Sequence, residues 1–372
     1  MLVPALLSAG GVVALAGDEP IVKWDQKVGR IEQPQPSPLA LARMYASGRR
    51  AEAIAALDGW SEADMKAELV SLRSEMRKMG GHLPERPLRA AVMLHTDREL
   101  YERLQSPVVE SVRECGINAH GGYARALIAL LVVQSDQSRE FVRRWLTAMA
   151  LSSHWDLCLD DVRRWTHEGL KWFPKDAQML LLQGTASEVS AALTPVPALF
   201  ADPSHRSEGL SDIARRRQEL SEARRDLEAA LAVDPDLHEA RLRLGRVLWR
   251  LEKPQDARAP LQTVLERAQE PWILYLAHLF LGRVLEDAGE LPAATEHYRA
   301  ALAIDPGAQA AAVALSQALL VGGNDGEGRE VLARALKQAP RGQPRDAYMS
   351  YHLGRSNLAE GLLDALRAET LE

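Results

Sequence analysis

Apolar residues recur every three or four positions over most of the chain, which is the spacing of one face of an amphipathic helix. In the C-terminal part this pattern is divided into blocks of similar length by four prolines, namely Pro235, Pro271, Pro306 and Pro340. The prolines are 36, 35 and 34 residues apart. This period is typical of a helix-turn-helix unit that buries its apolar face only when a neighbouring unit stacks on it. The pattern predicts an array of helical hairpins.

Within each block, small and large apolar residues follow one another in a fixed order. The block from 275 to 306 shows the order at Leu281, Gly282, Leu285, Ala294, Tyr298, Ala301 and Pro306. The block from 238 to 271 repeats it at Leu244, Gly245, Leu248, Ala257, Leu261 and Val264, and the block from 309 to 340 at Leu315, Leu319, Leu332 and Ala335. Small residues at these positions let two helix axes approach closely. The three blocks resemble tetratricopeptide repeats, which implies an all-α fold with a right-handed helical repeat solenoid.

The resemblance and the proline pattern together divide the chain. We expect repeats over residues 174–372, with a loop insertion at about 193–211, where prolines are too dense for a helix interior. Residues 39–173 are predicted to form an irregular α-helical region, and residues 17–38 a proline-rich linker. Leu353 and Gly354 should restart the repeat frame, and the last helix, with Leu362 and Leu366 on one face, should cap the array.

Residues 1–16 are apolar and end in Ala14-Leu15-Ala16, which resembles a secretory signal peptide, although no lysine or arginine precedes the apolar run. The chain is therefore expected to be periplasmic or secreted in a bacterium. The alternative is a cytoplasmic protein with an ordinary apolar N-terminus. Cys115 and Cys158 could pair in an oxidising compartment and would be small buried residues in a cytosol, so their pairing is left open. The apolar runs are too short to predict a membrane span.

Charge and motif content give little indication of chemistry. The net charge is −6 with acidic and basic residues interleaved, so no nucleic-acid partner is expected. His95, Asp97, Cys115 and His120 could supply metal ligands, but they lack the spacing of known zinc motifs. Buried histidines and a helix cap explain them as well, so we expect no catalytic residues, no metal and no cofactor. Residues 322–328 are glycine-rich but acidic, which favours a turn over a phosphate loop. The four tryptophans at positions 145, 155, 165 and 172 are expected in the core.

The resemblance implies that the first helix of each repeat lines a groove that holds a peptide or protein partner. The expected partner-binding residues are Arg246, Trp249, Arg283, Gln317 and Arg355. Arginines spaced one repeat apart could bind carboxylates or carbonyls of a ligand, and the alternative is that local acids such as Glu286 pair with them. The pattern departs from the family's lysine and asparagine clamp for C-terminal carboxylates, so that function is not carried over.

The sequence thus predicts a non-catalytic scaffold for protein-protein interaction. A cytosolic accessory or regulatory subunit of an enzyme complex is the alternative, and a metal-dependent hydrolase within the unassigned helical region is a remote one. Reversing the charge of Arg246 and Arg283 together is expected to weaken partner capture and to leave the melting temperature nearly unchanged.

Overall fold

The computed structural model describes residues 38–57, 60–97, 119–193, 206–338 and 346–371. Within these ranges every regular element is a helix. The chain divides into two compact units, of which the first contains residues 1–145 and 361–372 and the second contains residues 146–360. The all-α fold predicted from the apolar spacing is therefore confirmed. The boundary between the units falls at residues 145–146, inside a long helix, whereas the sequence places the start of the repeats near residue 173.

The first unit begins with short helices. Its helices are α1 (Pro38–Ala46), α2 (Arg50–Leu57), α3 (Glu62–Lys78), α4 (Glu85–His95), α5 (Ala119–Leu131), the first half of α6 (Asp136–Trp155), and most of α16 (Ala359–Leu371). Helices α1 and α2 pack as a hairpin, and α4 lies against both α1 and α5. A capping box starts α3, in which the Ser61 hydroxyl accepts from the amide of Asp64 and the Asp64 carboxylate accepts from that of Ser61.

Helix α16 belongs to the first unit from residue 361 onward, so the expectation that it caps the repeat array is wrong. Its Leu366 is fully buried. The carbonyl of Thr370 accepts a hydrogen bond from Arg86 Nε at 3.1 Å, and Glu369 accepts one from Arg144 Nη1 at 2.6 Å. A row of leucines indicates that one helix face is buried, but it does not show which part of the protein covers that face.

The second unit contains the repeat array. After α7 (Leu159–Trp172) come α8 (Ala177–Leu193), α9 (Arg206–Val233), α10 (His238–Arg250), α11 (Pro254–Arg267), α12 (Pro271–Asp287), α13 (Leu291–Ile304), α14 (Gln309–Val321) and α15 (Asp325–Gln338). Helices α8 and α9, α10 and α11, α12 and α13, and α14 and α15 form four hairpins, and each hairpin packs on the next in sequence order. The first helices α8, α10, α12 and α14 also contact one another in sequence order. This is the arrangement that the repeat pattern predicts.

Glycine sets the distance between the two helices of a hairpin. A Cβ atom on Gly282 of α12 would lie 2.3 Å from Cε1 of Tyr298 in α13, and one on Gly245 of α10 would lie 2.5 Å from Cγ of Leu261 in α11. Both distances are far below van der Waals contact. The small residues of the repeat pattern are therefore needed for close packing, as the sequence predicts.

Some details of the second unit differ from the expected boundaries. Residues 206–211, expected in the inserted loop, are the first turns of α9, and residues 194–205 lie outside the described residues. Of the glycine-rich stretch 322–328, residues 322–324 form the predicted turn between α14 and α15, with Gly323 at a φ of 81°, whereas residues 325–328 are the first turn of α15. Of the tryptophans, Trp145 of the first unit and Trp165 of the second are buried. Trp155 is half exposed, which contradicts its expected place in the core.

We expect Gly282→Ala to lower the free energy of unfolding by about 1–3 kcal/mol, because the new methyl group overlaps the fully buried ring of Tyr298. The ring cannot swing aside freely, since its hydroxyl donates to Glu286 at 2.5 Å. Gly326→Ala is the matched control in helix α15, where a Cβ meets no atom within 4 Å. Chemical denaturation of both variants measures the effect, and equal stability of the two would contradict the packing argument.

Candidate functional site

The first helices α8, α10, α12 and α14 form one face of the array, which we call the first-helix groove. Residues 346–358 of the same unit lie against this groove and are called the groove segment. The groove segment contains two short 3-10 turns, Tyr351–Leu353 and Ser356–Leu358. Its Tyr351 is buried, with the ring edge-on to Phe280 of α12 at 5.3 Å between ring centroids. The chain therefore fills the inner part of its own groove.

The carboxylate of Glu188 in α8 lies at the centre of this contact and is fully buried. Its Oε2 accepts a hydrogen bond from Nη1 of Arg243 at 2.9 Å. Its Oε1 accepts one from Nη1 of Arg246 at 2.7 Å and one from the hydroxyl of Tyr351 at 2.7 Å. Hydrogen bonds that involve an ionised partner are stronger than neutral ones. One carboxylate thus joins α8, α10 and the groove segment.

Two guanidinium groups enclose Tyr351. Those of Arg243 and Arg246 both lie 4.5 Å from the centroid of its ring, which is the geometry of a cation–π contact. Arg243, which is fully buried, also donates from Nη2 to the carbonyl oxygen of Tyr351 at 3.1 Å and from Nε to Glu239 at 3.0 Å. The ring, the hydroxyl and the carbonyl group of this one tyrosine are therefore all bound.

The buried charges hold one another in the ionised state. Burial alone would raise the pKa of Glu188, but Arg246, Arg243 and the Tyr351 hydroxyl outweigh burial and keep this pKa below its ordinary value. Burial would lower the pKa of Arg243, but Tyr351, Glu239 and Glu188 more than offset it. Burial followed by the charge of Glu188 raises the pKa of Tyr351, so its hydroxyl keeps the proton that it donates. A neutral tyrosine therefore lies among paired charges.

Both ends of the groove segment are fixed as well. At the first end, Oδ2 of Asp346 accepts from the amide nitrogen of Ala310 at 2.7 Å, near the start of α14, where a helix favours negative charge. At the other end, Arg355 forms ion pairs with Glu239 at 3.3 Å and with Glu270 at 3.4 Å. Gly354 lies between, at a φ of 52°. The segment is thus held at an acidic, an aromatic and a basic residue.

The five predicted binding residues have different surroundings. Arg246 lies in the groove, but its guanidinium is paired with the buried Glu188, so the expectation of an unchanged melting temperature after charge reversal is revised. Arg283 pairs with Glu286 at 3.3 Å, which is the alternative that the sequence left open. Trp249 Nε1 donates to Asp287 at 2.6 Å. Gln317 is exposed on α14.

Arg355 is not part of a repeat helix. Leu353 and Gly354, which were expected to restart the repeat frame, lie in and after a 3-10 turn, and the positive φ of Gly354 is incompatible with a continuing helix. The Leu-Gly-Arg sequence matches the frame of the true repeats without adopting their structure. Arg355 therefore belongs to the groove segment and not to the helices that line the groove.

Sequence reasoning missed Glu188, Arg243 and Tyr351. One signal was present, because Glu188 is the sole charged residue of the otherwise apolar or uncharged helix Ala177–Leu193. A single charge in such a helix points to a buried partner of opposite charge. Arg243 precedes Arg246 by three positions and so shares its helix face. For Tyr351 no comparable signal exists, since it lies outside the repeat pattern.

Beside the buried network the groove remains open at an apolar pocket of about 310 Å³. The pocket is lined by Trp249, Leu279, Phe280, Arg283, Gln309, Ala310 and Val313 of the helices and by Tyr348 and Met349 of the groove segment. Val313 and Met349 are 51% and 52% exposed. Of the predicted residues, Trp249 and Arg283 come together in this pocket.

Three of the four candidate metal ligands, His95, Asp97 and His120, lie in the described residues of the first unit. The Nδ1 atoms of His95 and His120 lie 3.0 Å apart, which places the two rings in contact. Asp97 instead accepts from the hydroxyl of Tyr45 at 2.7 Å and pairs with Arg50. In the described parts of the chain no three histidine, cysteine or acidic side chains are grouped as a metal site would need. Cys115, and with it the question of its pairing with Cys158, lies outside the described residues.

The stacked hairpins and their groove define a helical repeat protein of the protein-interaction class. Residues 209–271 and residues 285–349 each match a family model of the tetratricopeptide repeat. The C-terminal half of the chain is therefore a tetratricopeptide-repeat array, as the resemblance in the sequence implied. No curated protein sequence matches the chain. Among the described helices, none combines the length and the apolar character needed to cross a bilayer.

Solved structures with similar helical architecture are distant in sequence. A MamA fragment from Desulfovibrio magneticus is 15% identical, covers 53% of this chain and 94% of its own, and gives a TM-score of 0.40. YrrB, described as a TPR protein with an unusual peptide-binding site, is 20% identical, covers 52% of this chain and 83% of its own, and gives 0.36. PilF of Pseudomonas aeruginosa is 13% identical, covers 61% and 90%, and gives 0.44.

We expect Glu188→Gln to lower the free energy of unfolding at neutral pH by about 3–5 kcal/mol, because two guanidinium groups lose their buried counter-charge. In the folded protein the pKa of Glu188 is lowered, so its contribution to stability is present above the ordinary pKa of 4.5 and is lost as the pH falls through the folded value. Denaturant titrations between about pH 6 and pH 3 should therefore show a flatter pH dependence for the variant than for the wild type.

The matched control for this titration is Glu290→Gln. The pKa of Glu290 is also lowered, by its hydrogen bond to Arg258, but this glutamate is exposed and its ion pair is screened by solvent. The control variant should keep the pH dependence of the wild type. If both variants titrate alike, the buried carboxylate has no special role.

Proposed function

We propose that this chain is a non-catalytic scaffold that holds a peptide of a partner protein in the pocket of the first-helix groove. The observation that supports the proposal is the open apolar pocket beside the groove segment. Exposed apolar side chains grouped in a concave site are typical of an interaction surface. The position agrees as well, because the pocket lies on the first helices, where the family resemblance implies that partners bind.

The lining of the pocket indicates the chemistry of the partner. Val313, Met349 and the ring of Trp249 provide an apolar floor for one large side chain. Arg283 lines the same pocket, and a third of its side chain is exposed. Its Nη1 lies 3.3 Å from Oε2 of Glu286. A ligand carboxylate could replace Glu286 as the partner of this guanidinium and form a bidentate contact with it. We therefore expect a peptide that places an apolar side chain next to an acidic one.

The proposal is tested with a random peptide library displayed on phage, selected on the full chain. Peptides with an apolar and an acidic residue side by side should be enriched. Synthetic copies should bind in the micromolar range and lose about tenfold in affinity on Val313→Asp or Arg283→Glu. Arg334→Glu, the same change at an exposed arginine of the second helix α15, is the control and should leave binding unchanged. Peptides that bind all variants equally would place the site elsewhere.

We propose further that the chain is exported. The support is the apolar stretch of residues 1–16 with its alanine-rich end, followed at once by polar residues. These residues lie outside the described part of the chain. N-terminal sequencing of the mature protein from its native source should give a start at Gly17. A chain that begins at Met1 and is recovered from the cytoplasm would contradict export and support the accessory-subunit alternative.

A further inference from the structure

The groove segment is bound as a peptide ligand would be bound. Its regular structure is limited to the two short 3-10 turns. Its backbone amides donate to carbonyl groups of the segment itself, as that of Tyr351 does to Tyr348 and that of Leu353 to Ser350. Its contacts with the wall of the groove are made by side chains that enter separate sites and by one backbone carbonyl group. This differs from the layers of the array, which are joined by continuous helix packing.

The three contacts of the segment fall at fixed spacings along the chain. An acidic residue, Asp346, lies five positions before Tyr351, and a basic residue, Arg355, lies four positions after it. The acidic residue meets the helix start at Ala310, and the basic residue meets Glu239 and Glu270. Charge complementarity therefore orients the segment, and the tyrosine provides the buried anchor.

The tyrosine site is built for a hydroxyl-bearing ring. A phenylalanine would leave Oε1 of Glu188 without its bond from the hydroxyl, and an aliphatic side chain would also remove the faces on which Arg243 and Arg246 lie. Removing one of the two hydrogen bonds that this buried, charged oxygen accepts is costly, which makes such a site selective. The inner groove thus distinguishes tyrosine from other apolar residues.

The occupied inner groove and the open pocket are continuous. Tyr348 and Met349 belong to the segment and also line the pocket, and they are 40% and 52% exposed. A peptide that enters the pocket therefore contacts the segment only two or three residues before its anchor. A peptide bound at the pocket would therefore act on the groove segment close to the point where Tyr351 holds it.

We propose that the inner first-helix groove is a recognition site for a tyrosine-containing peptide, that Tyr351 of the chain itself fills this site, and that a partner peptide binds by replacing the groove segment. The partner carries a tyrosine with an acidic residue before it and a basic residue after it. This inference rests on the proposed function, because it uses the same groove, and it adds the chemistry and the regulation of the inner site. In the absence of partner the segment keeps the charges of the groove paired.

Gly354 offers a way to open the groove without changing its wall. A Cβ atom at this position would lie 2.6 Å from Nη2 of Arg243 and 2.9 Å from Oε1 of Glu239, and the φ of 52° disfavours any side chain. Gly354→Ala should therefore weaken the seating of the segment. Gly361→Ala, at the next glycine along the chain, is the matched control, since a Cβ there meets no atom within 4 Å.

The test measures binding of a fluorescein-labelled peptide with the sequence of residues 346–358 to the full chain by fluorescence anisotropy. We expect Gly354→Ala to bind the peptide at least tenfold more tightly than the wild type and Gly361→Ala do. A peptide with alanine in place of the tyrosine at position 351 should bind at least tenfold more weakly. Circular dichroism and light scattering establish that all proteins are folded and of equal mass.

Hydrogen exchange of the wild type separates a replaceable segment from a fixed part of the fold. Amides of the groove segment should exchange at least tenfold faster than those of helix α12, because the segment opens locally. Exchange of the segment only together with α12, or absence of peptide binding to folded Gly354→Ala, overturns the inference. Either result leaves the pocket test with the phage library untouched, and failure of the library test alone would remove the proposed function but not the tyrosine site.

Discussion

A buried carboxylate has to be matched by positive charge, and the balance around Glu188 is the constraint on which this groove depends. Taking ions out of water costs several kcal/mol each unless their partners and hydrogen bonds replace the solvent. Here Arg243 and Arg246 supply the charge and Tyr351 supplies the remaining hydrogen bond. The net energy of this network matters less than its geometry. Its hydrogen bonds form only when α8, α10 and the groove segment are held in one relative position.

The repeat array supplies the frame for this network. Glycine at the crossing of paired helices, as at Gly282 against Tyr298, brings the helices close enough for each hairpin to stack on the next. That stacking aligns the first helices and so places Glu188 of one hairpin beside the arginines of another. Close packing at the small residues therefore forms the groove. The buried charges in the groove then select the side chain that occupies it.

The periodic part of the fold was predictable from the sequence, and the contact that occupies the groove was not. Repeat spacing predicted the hairpins because each one uses the same local packing, seen at Gly245 and Gly282. The arginine slot led to the groove and named Arg246, but its buried partner lies 58 positions away in sequence. No local pattern reports such a pairing. The same limit explains Leu353 and Gly354, whose order matches the repeat although their backbone forms a turn, and α16, whose leucines are buried in the first unit.

A double-mutant cycle between Glu188 and Tyr351 tests the central claim most directly. The free energy of unfolding would be measured for the wild type, Glu188→Gln, Tyr351→Phe and the double variant by denaturant titration at neutral pH. If the hydroxyl of the groove segment binds the buried carboxylate, the two substitutions should be coupled by about 1–3 kcal/mol. Additive effects, with no coupling beyond about 0.5 kcal/mol, would contradict the account, because the segment would then not be held in the groove by this contact.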